Sequence, residues 1–261
     1  MNAQSAPQPD AKPAAAADLL ILGTGPHALE IGDLVADINR VAPRWRVVGF
    51  VSAFADQAGM TLAGLGVLTL ADALERYPTA WLITEYEWPA KQSLPHDRLA
   101  TLVHPTTFVA SSARIGAGSI IYPHCFVGSN ARVGDFLFCL ANVVINHNDV
   151  LGEEVTLTSG VVIAGDVHIA AHCYLGQSCV IRERVRIGPE SLIGMGAVVL
   201  RDVAANSVMV GNPARRLRAR TLNFPGANVL RAAKRGALAR WRRGKAAMLS
   251  RLGVTQRSRG A

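Results

Sequence analysis

A six-residue period runs through the middle of the chain and leaves few folds open. Every sixth residue from Val109 to Val199, sixteen positions in all, is apolar. Half the chain is apolar, so sixteen successes at one fixed phase have a chance probability on the order of one in tens of thousands. The position four residues further on is small in most hexads, as in Ala113, Ser119, Cys125 and Ala131. The residue after each large position is often glycine (Gly116, Gly128, Gly134, Gly152), which reads as a backbone that bends at a fixed interval. One large and one small apolar position per hexad is the pattern of a parallel β-helix, whose stacked coils bury a continuous column of aliphatics. Cys125, Cys139, Cys173 and Cys179 all fall on these two phases, so they read as packed core thiols rather than metal ligands or nucleophiles.

The segments on either side obey other rules. Residues 1–17 are Ala, Pro and Gln with little else and read as a disordered leader. Residues 18–100 alternate strand and helix patterns, namely DLLILGTG, PHALEIGDLVADINRV, WRVVGFV, LADALERYP and AWLITEY, which predict a small parallel α/β domain. The β-helix is expected over 101–213. A basic, helical tail is expected over 214–261, with Leu230, Ala233, Ala237, Trp241, Met248 and Leu252 roughly on one face.

The charge divides along the same boundaries. The formal net charge is +8, but fourteen of the 27 Lys and Arg lie at or beyond Arg215, where no Asp or Glu occurs. Leader and body together carry about −6. The positive tail fits either peripheral contact with an anionic membrane surface or a solvated helix packed on the rest of the assembly, and not nucleic acid, since no aromatic platform or binding motif accompanies the charge. With no spanning segment and no signal peptide in the pattern, the expected location is the cytoplasm, with the tail at the inner face of the membrane.

Several segments taken together resemble the hexapeptide-repeat sugar acetyltransferases that carry a Rossmann-like N-terminal domain, the sialic acid O-acetyltransferase and bacillosamine N-acetyltransferase type. They are LILGTGPHA, VVGFV, LVHPTTFVASSARIG, INHNDVLGEEV and GAVVLRDVAANSVMVGNPARR. The resemblance implies a left-handed β-helix with three hexads per coil, a homotrimer with sites between subunits, and acetyl-CoA as donor. It implies His147 as the base that removes the acceptor's proton, a role suited to a neutral imidazole. Gly165, one eighteen-residue coil further on, would offer its N–H to the thioester oxygen. The closing Gly211, Asn212, Pro213, Arg215 and Arg216 would hold the CoA pantetheine and phosphates. Gly23, Gly25 and His27 would face the acceptor, a sugar or nucleotide sugar.

Three departures qualify the resemblance. Asn148 follows the histidine where Asp or Glu is usual, and Asp149, an acid on the small inward phase, is the candidate to take over that acid's role. Pro26 stands in the glycine turn and removes an N–H from it. Val51, Ser52 and Ala53 replace the usual acids after the second strand, which argues against a UDP-sugar. A zinc site as in β-helical carbonic anhydrases is rejected: 36 residues beyond His124 or His147 lie Gly160 and Glu183, and no three-histidine set forms. Two other readings stay open here: an acyltransferase with a non-sugar acceptor, and a catalytically impaired β-helix that binds or scaffolds.

Overall fold

The computed structural model describes residues 16–89 and 91–217. The expected leader up to residue 15 and the basic tail from 218, with its membrane-facing helix, lie outside the described residues.

The chain first builds an α/β layer. Strand β1 (Ala17–Leu22) leads through a glycine turn into helix α1 (Pro26–Val41), then β2 (Trp45–Ser52), the short pair β3 (Thr61–Leu62) and β4 (Leu65–Thr69), helix α2 (Leu70–Arg76) and β5 (Trp81–Thr84). The sheet order is β3-β4-β2-β1-β5, parallel except between β3 and β4. The β3–β4 hairpin has no counterpart in the sequence reading. Its turn is Ala63 and Gly64, both at positive φ, and alanine is not a residue that marks such a turn. Central β1 is apolar throughout Leu19–Leu22 and fully buried, as expected of a parallel strand covered on both sides. One cover is α1 through Ala28, Ile31, Leu34 and Val35, and the other includes Ala73 of α2.

From Leu102 the chain winds into a parallel β-helix of two-residue strands. Three sheets form its faces. The first runs from Phe108–Val109 to Val198–Val199, the second from Arg114–Ile115 to Arg186–Ile187, and the third from Leu102–Val103 through Leu192–Ile193 to Val208–Val210 and Arg215–Arg216. Successive strands of a face pair with a register of eighteen residues, as in Val144 beside Val162 and Phe138 beside Thr156. The second residue of each pair points inward, and Ile145, Ile163 and Ile181 are fully buried. Each such side chain contributes about 1.5–3 kcal/mol relative to exposure. All four cysteines are free and buried in this column or in the small phase beside it, and burial pushes the Cys179 thiol up to about 12.

The repeating glycines serve a purpose the sequence reading did not identify. None of Gly116, Gly128, Gly134 and Gly152 has a positive φ; the left-handed bends fall two residues later, at Gly118, Asn130, Phe136 and Glu154. What excludes a side chain at Gly134 is the next coil, because a Cβ there would stand 2.7 Å from the backbone of Gly152 and Glu153.

The α/β layer packs on the third face. Ile120 and Phe138 of that face belong to the same apolar cluster as Leu19, Ile31 and Leu34, and His96–Asp135 and Gln92–Glu154 add polar contacts beside it.

Asp149 interrupts the inward small phase with a carboxylate that is fully buried. Its Oδ2 accepts from Asn146 N at 2.8 Å and its Oδ1 from Val167 N at 2.9 Å. Burial nevertheless outweighs these donors and pushes its pKa up to about 7. A carboxyl raised in the fold above its ordinary range contributes stability that is fully present near pH 4 and is lost as pH rises through about 7. The difference in Tm between the native chain and Asp149→Asn is therefore expected to shrink as pH goes from 5 to 8. A difference that grows over that range contradicts the assignment.

Candidate active site

His147 stands at the corner where the chain leaves the first face for the second. The corner is Asn146, His147, Asn148, Asp149, and each residue has a separate task. Asn146 replaces the common glycine and donates through Nδ2 to the carbonyl of Ile163, 3.0 Å away. Asn148 takes the left-handed conformation, φ 60°, which asparagine tolerates better than most residues. Asp149 binds one N–H on its own corner and one on the next coil.

The hydrogen bonds of Asp149 go to the backbone and not to the imidazole. Both its oxygens are turned inward to backbone donors, because a carboxylate on the inward phase must find partners within the coil stack. The atom beside His147 Nδ1 is instead Asn148 Nδ2, at 3.2 Å. The carboxylate of the corner belongs to Asp166, whose Oδ1 lies 3.0 Å from that same Asn148 Nδ2. Asp166 is eighteen residues beyond Asn148, so adding one coil to the departure at Asn148 would have found it.

The stack also brings Gly165 to His147. Asp166 N donates to the His147 carbonyl at 3.0 Å, which sets the two corners one above the other. The imidazole then lies over the bare Cα of Gly165, where a Cβ would stand 2.6 Å from Nε2 and 2.9 Å from Nδ1. Glycine is required here for the ring's sake, since Gly165 is not at positive φ. Thus His147, Asn148 and Gly165 come together with Asp166, and Asp149 braces them from inside.

The other expected residues are elsewhere. The final turn holds Gly211, at φ 93°, with Asn212 and Pro213, and Arg215 and Arg216 follow on an exposed strand antiparallel to Val210 and Met209. They sit at the far end of the third face. Gly23 and Gly25 lie between β1 and α1, and His27 is in the first turn of α1, where its ring meets Tyr86 and Phe138 at centroid distances of 5.2 and 5.3 Å. This crevice faces the third side of the prism, whereas the His147 corner joins the first and second sides. Within one chain the two sets are on opposite sides.

The glycine turn lies between β1 and β5, where the sheet order reverses direction, the usual place for a ligand in such a fold. Here the turn is filled by the chain itself. The Glu85 carboxyl from the end of β5 packs on Gly23, so that a Cβ on that glycine would stand 2.6 Å from Oε2, and it accepts the Gly25 N–H. Burial, then the neighbouring Glu87, raise its pKa, while His27, the Gly25 N–H and Lys91 pull it down. The strand-end acids absent from the sequence have a neutral substitute the sequence reading missed: Thr24 and Ser52 both donate to Gln57 Oε1, at 2.8 and 2.6 Å. Among the described residues no three His, Cys, Asp or Glu side chains cluster as a metal site, and no helix is long and apolar enough to cross a membrane.

No protein-family model matches the chain, and no curated relative does. Solved structures do. PerB from Caulobacter crescentus is 23% identical, with a TM-score of 0.68 over 78% of this chain and 99% of that one. The acetyltransferase domain of PglB from Neisseria gonorrhoeae is 22% identical, with a TM-score of 0.65 over 77% and 99%. WeeI from Acinetobacter baumannii is 21% identical, with a TM-score of 0.52 over 77% and 100%. At these identities the likeness is one of fold, and it spans both the α/β layer and the β-helix.

Glu85 supplies a prediction. A negative group at a helix N-terminus is worth up to about 2 kcal/mol, and here Glu85 already occupies that position. UDP is expected to bind the native chain weakly and Glu85→Ala about tenfold more tightly by isothermal titration calorimetry. Equal affinities contradict the blocking role.

Proposed function

We propose that the chain is an acetyl-CoA-dependent acetyltransferase that acylates a hydroxyl or amine of a sugar or nucleotide sugar in surface-glycan synthesis. In this reading it is a cytoplasmic homotrimer of left-handed β-helices, with His147 as general base. The observation that carries the proposal is the His147 imidazole lying on the bare Cα of Gly165 one coil on. The fold likeness supports it: the PerB structure holds CoA and GDP-perosamine, and the gonococcal PglB domain is known with acetyl coenzyme A.

The residues divide the chemistry. Acetyl-CoA supplies an activated thioester carbonyl. When the acceptor oxygen or nitrogen attacks that carbon, negative charge grows on the carbonyl oxygen, and a backbone N–H fixed beforehand lowers the barrier without reorganisation. The Gly165 N–H is suited to this task because the residue has no side chain of its own and lies beside the His147 ring. The acceptor must lose a proton to the His147 ring, a step worth about 10²–10⁴ in rate. Arg215 and Arg216, exposed beside the turn at Gly211, Asn212 and Pro213, are suited to the phosphates of the donor.

Two features support self-association of the kind a trimer needs. The outward positions of the first face are all apolar, Phe108, Phe126, Val144, Val162, Val180 and Val198. Phe108 and Phe126 stack at 5.1 Å while remaining 56% and 39% exposed. The second face instead points Arg114, Arg132 and Arg186 outward. An apolar ladder of this kind suits a copy of the same chain. That ladder borders the His147 corner, so a second copy would wall the site and bring its own α/β crevice toward it. The Glu85 carboxylate over the glycine turn favours acceptors that do not place a phosphate there.

Thiol release from acetyl-CoA is expected with at least one member of a panel of nucleotide-linked and plain sugars and their amino forms. His147→Ala is expected to lower the rate at least about 10²-fold. Phe126→Glu is expected to yield monomers by light scattering and to lose the transfer activity. Thiol release unaffected by His147→Ala removes the imidazole from the chemistry, and no turnover with any acceptor favours a binding or scaffolding role.

A further inference from the structure

The corner at His147 belongs to a column of side chains with a direction. Asn130, Asn148 and Asp166 are spaced by eighteen residues, share φ near 60° (59°, 60° and 61°), and stack one per coil. Asn130 Nδ2 donates to Asn148 Oδ1 at 3.3 Å, and Asn148 Nδ2 donates to Asp166 Oδ1 at 3.0 Å. The backbone rungs keep the spacing: Asn148 N donates to the Ser129 carbonyl and Asp166 N to the His147 carbonyl, at 2.9 and 3.0 Å.

An ionised carboxylate only accepts. Asp166 therefore decides which end of the Asn148 amide faces it, and the end that faces it is the NH₂. That same Nδ2 lies 3.2 Å from His147 Nδ1, so the ring nitrogen beside it must be the unprotonated one. Turning the amide over would place Asn148 Oδ1 against the Asp166 carboxylate and its NH₂ against that of Asn130, which loses both bonds of the column.

We propose that Asp166 is a positioning residue for His147, acting through Asn148: it orients the amide so that the neutral imidazole keeps its proton on Nε2. The consequence for catalysis rests on the reading of His147 as base; the tautomer does not. An imidazolium donates from both nitrogens, so a ring that takes up a proton cannot keep an NH₂ against Nδ1. In this tautomer the only lone pair that can take the acceptor's proton is that of Nδ1, which already accepts from the Asn148 NH₂, so the transfer requires the amide to turn first, freeing Nδ1 and then offering Oδ1 to the new Nδ1–H. Asp166 holds that turn back. A carboxylate at position 148 would accept from Nδ1–H without any turn, the arrangement that orients the histidine of a catalytic triad.

The experiment exchanges the pair. Asn148→Asp with Asp166→Asn conserves charge, composition and the number of hydrogen bonds: residue 166 becomes the donor, and residue 148 becomes an acceptor toward Asn130, residue 166 and the ring. Long-range ¹H–¹⁵N correlation spectra of the full chain at a pH where the rings are neutral report which nitrogen carries the proton, and the loss of one set of signals in His147→Gln assigns them among the seven histidines. The native chain is expected to show protonated Nε2 and bare Nδ1 at His147. The exchanged pair is expected to show the reverse, and Asp166→Asn alone a mixture. A native ring protonated on Nδ1, or the same tautomer in all three proteins, overturns the proposal. A merely structural role for Asp166 would lower stability without moving the proton between nitrogens. Because no acceptor is needed, failure of the acetyltransferase reading would show separately, as absent thiol release with the tautomer result intact.

Discussion

Everything at the candidate site depends on one spacing. Each coil up to Val199 takes eighteen residues, and the hydrogen bond from a corner to the corner below fixes residue i over residue i + 18, as Asp166 N to the His147 carbonyl illustrates. The column of Ile145, Ile163 and Ile181 inside and the chain of Asn130, Asn148 and Asp166 outside are two expressions of that register. A one-residue slip would turn the aliphatic column outward, so the apolar core holds the polar column in line. The imidazole rests on Gly165 for the same reason that Gly134 tolerates no side chain: adjacent coils approach closely, and only the register says which residues meet.

This explains what the sequence makes legible. A fixed period with one large and one small apolar position is a strong signal, and it marks the β-helix, the buried cysteines and the single inward acid at Asp149. His147 and Gly165 follow from a family resemblance and from counting one coil. Asp166 was equally countable but less visible, because an acid at a turn of the coil looks like any solvated residue until its neighbour at Asn148 is seen to share a hydrogen bond with the ring. Asp149 shows the converse. Its inward phase announces a special role, yet phase alone does not say whether the carboxylate faces a ring or two backbone donors, and burial among the coils selects the donors.

The α/β layer is legible at coarser grain. The apolar runs and the helix opening at Pro26 mark strands and helices, whereas the β3–β4 hairpin turns on Ala63 and Gly64, for which the sequence carries little signal. Nor does the sequence disclose that Glu85 folds back over Gly23. That contact joins segments more than sixty residues apart and exists only because β5 lies beside β1. Its effect is chemical as well as structural, since it places a carboxylate where a bound phosphate would otherwise meet the amides of the turn.

The layout of the prism unites these features. The α/β layer covers the third face, the apolar ladder of Phe108 and Phe126 lies on the first, and His147 is at the edge of the first and second, away from its own chain's crevice. In the proposed function a second copy, seated on the first face, completes the site. A crystal structure with CoA bound tests this most directly. The account predicts the CoA sulfur beside His147 and Gly165 of one chain, in a groove whose far wall is a second copy packed on Phe108 and Phe126. CoA bound away from the His147 corner, or held there by one chain alone with the first face bare, would contradict it.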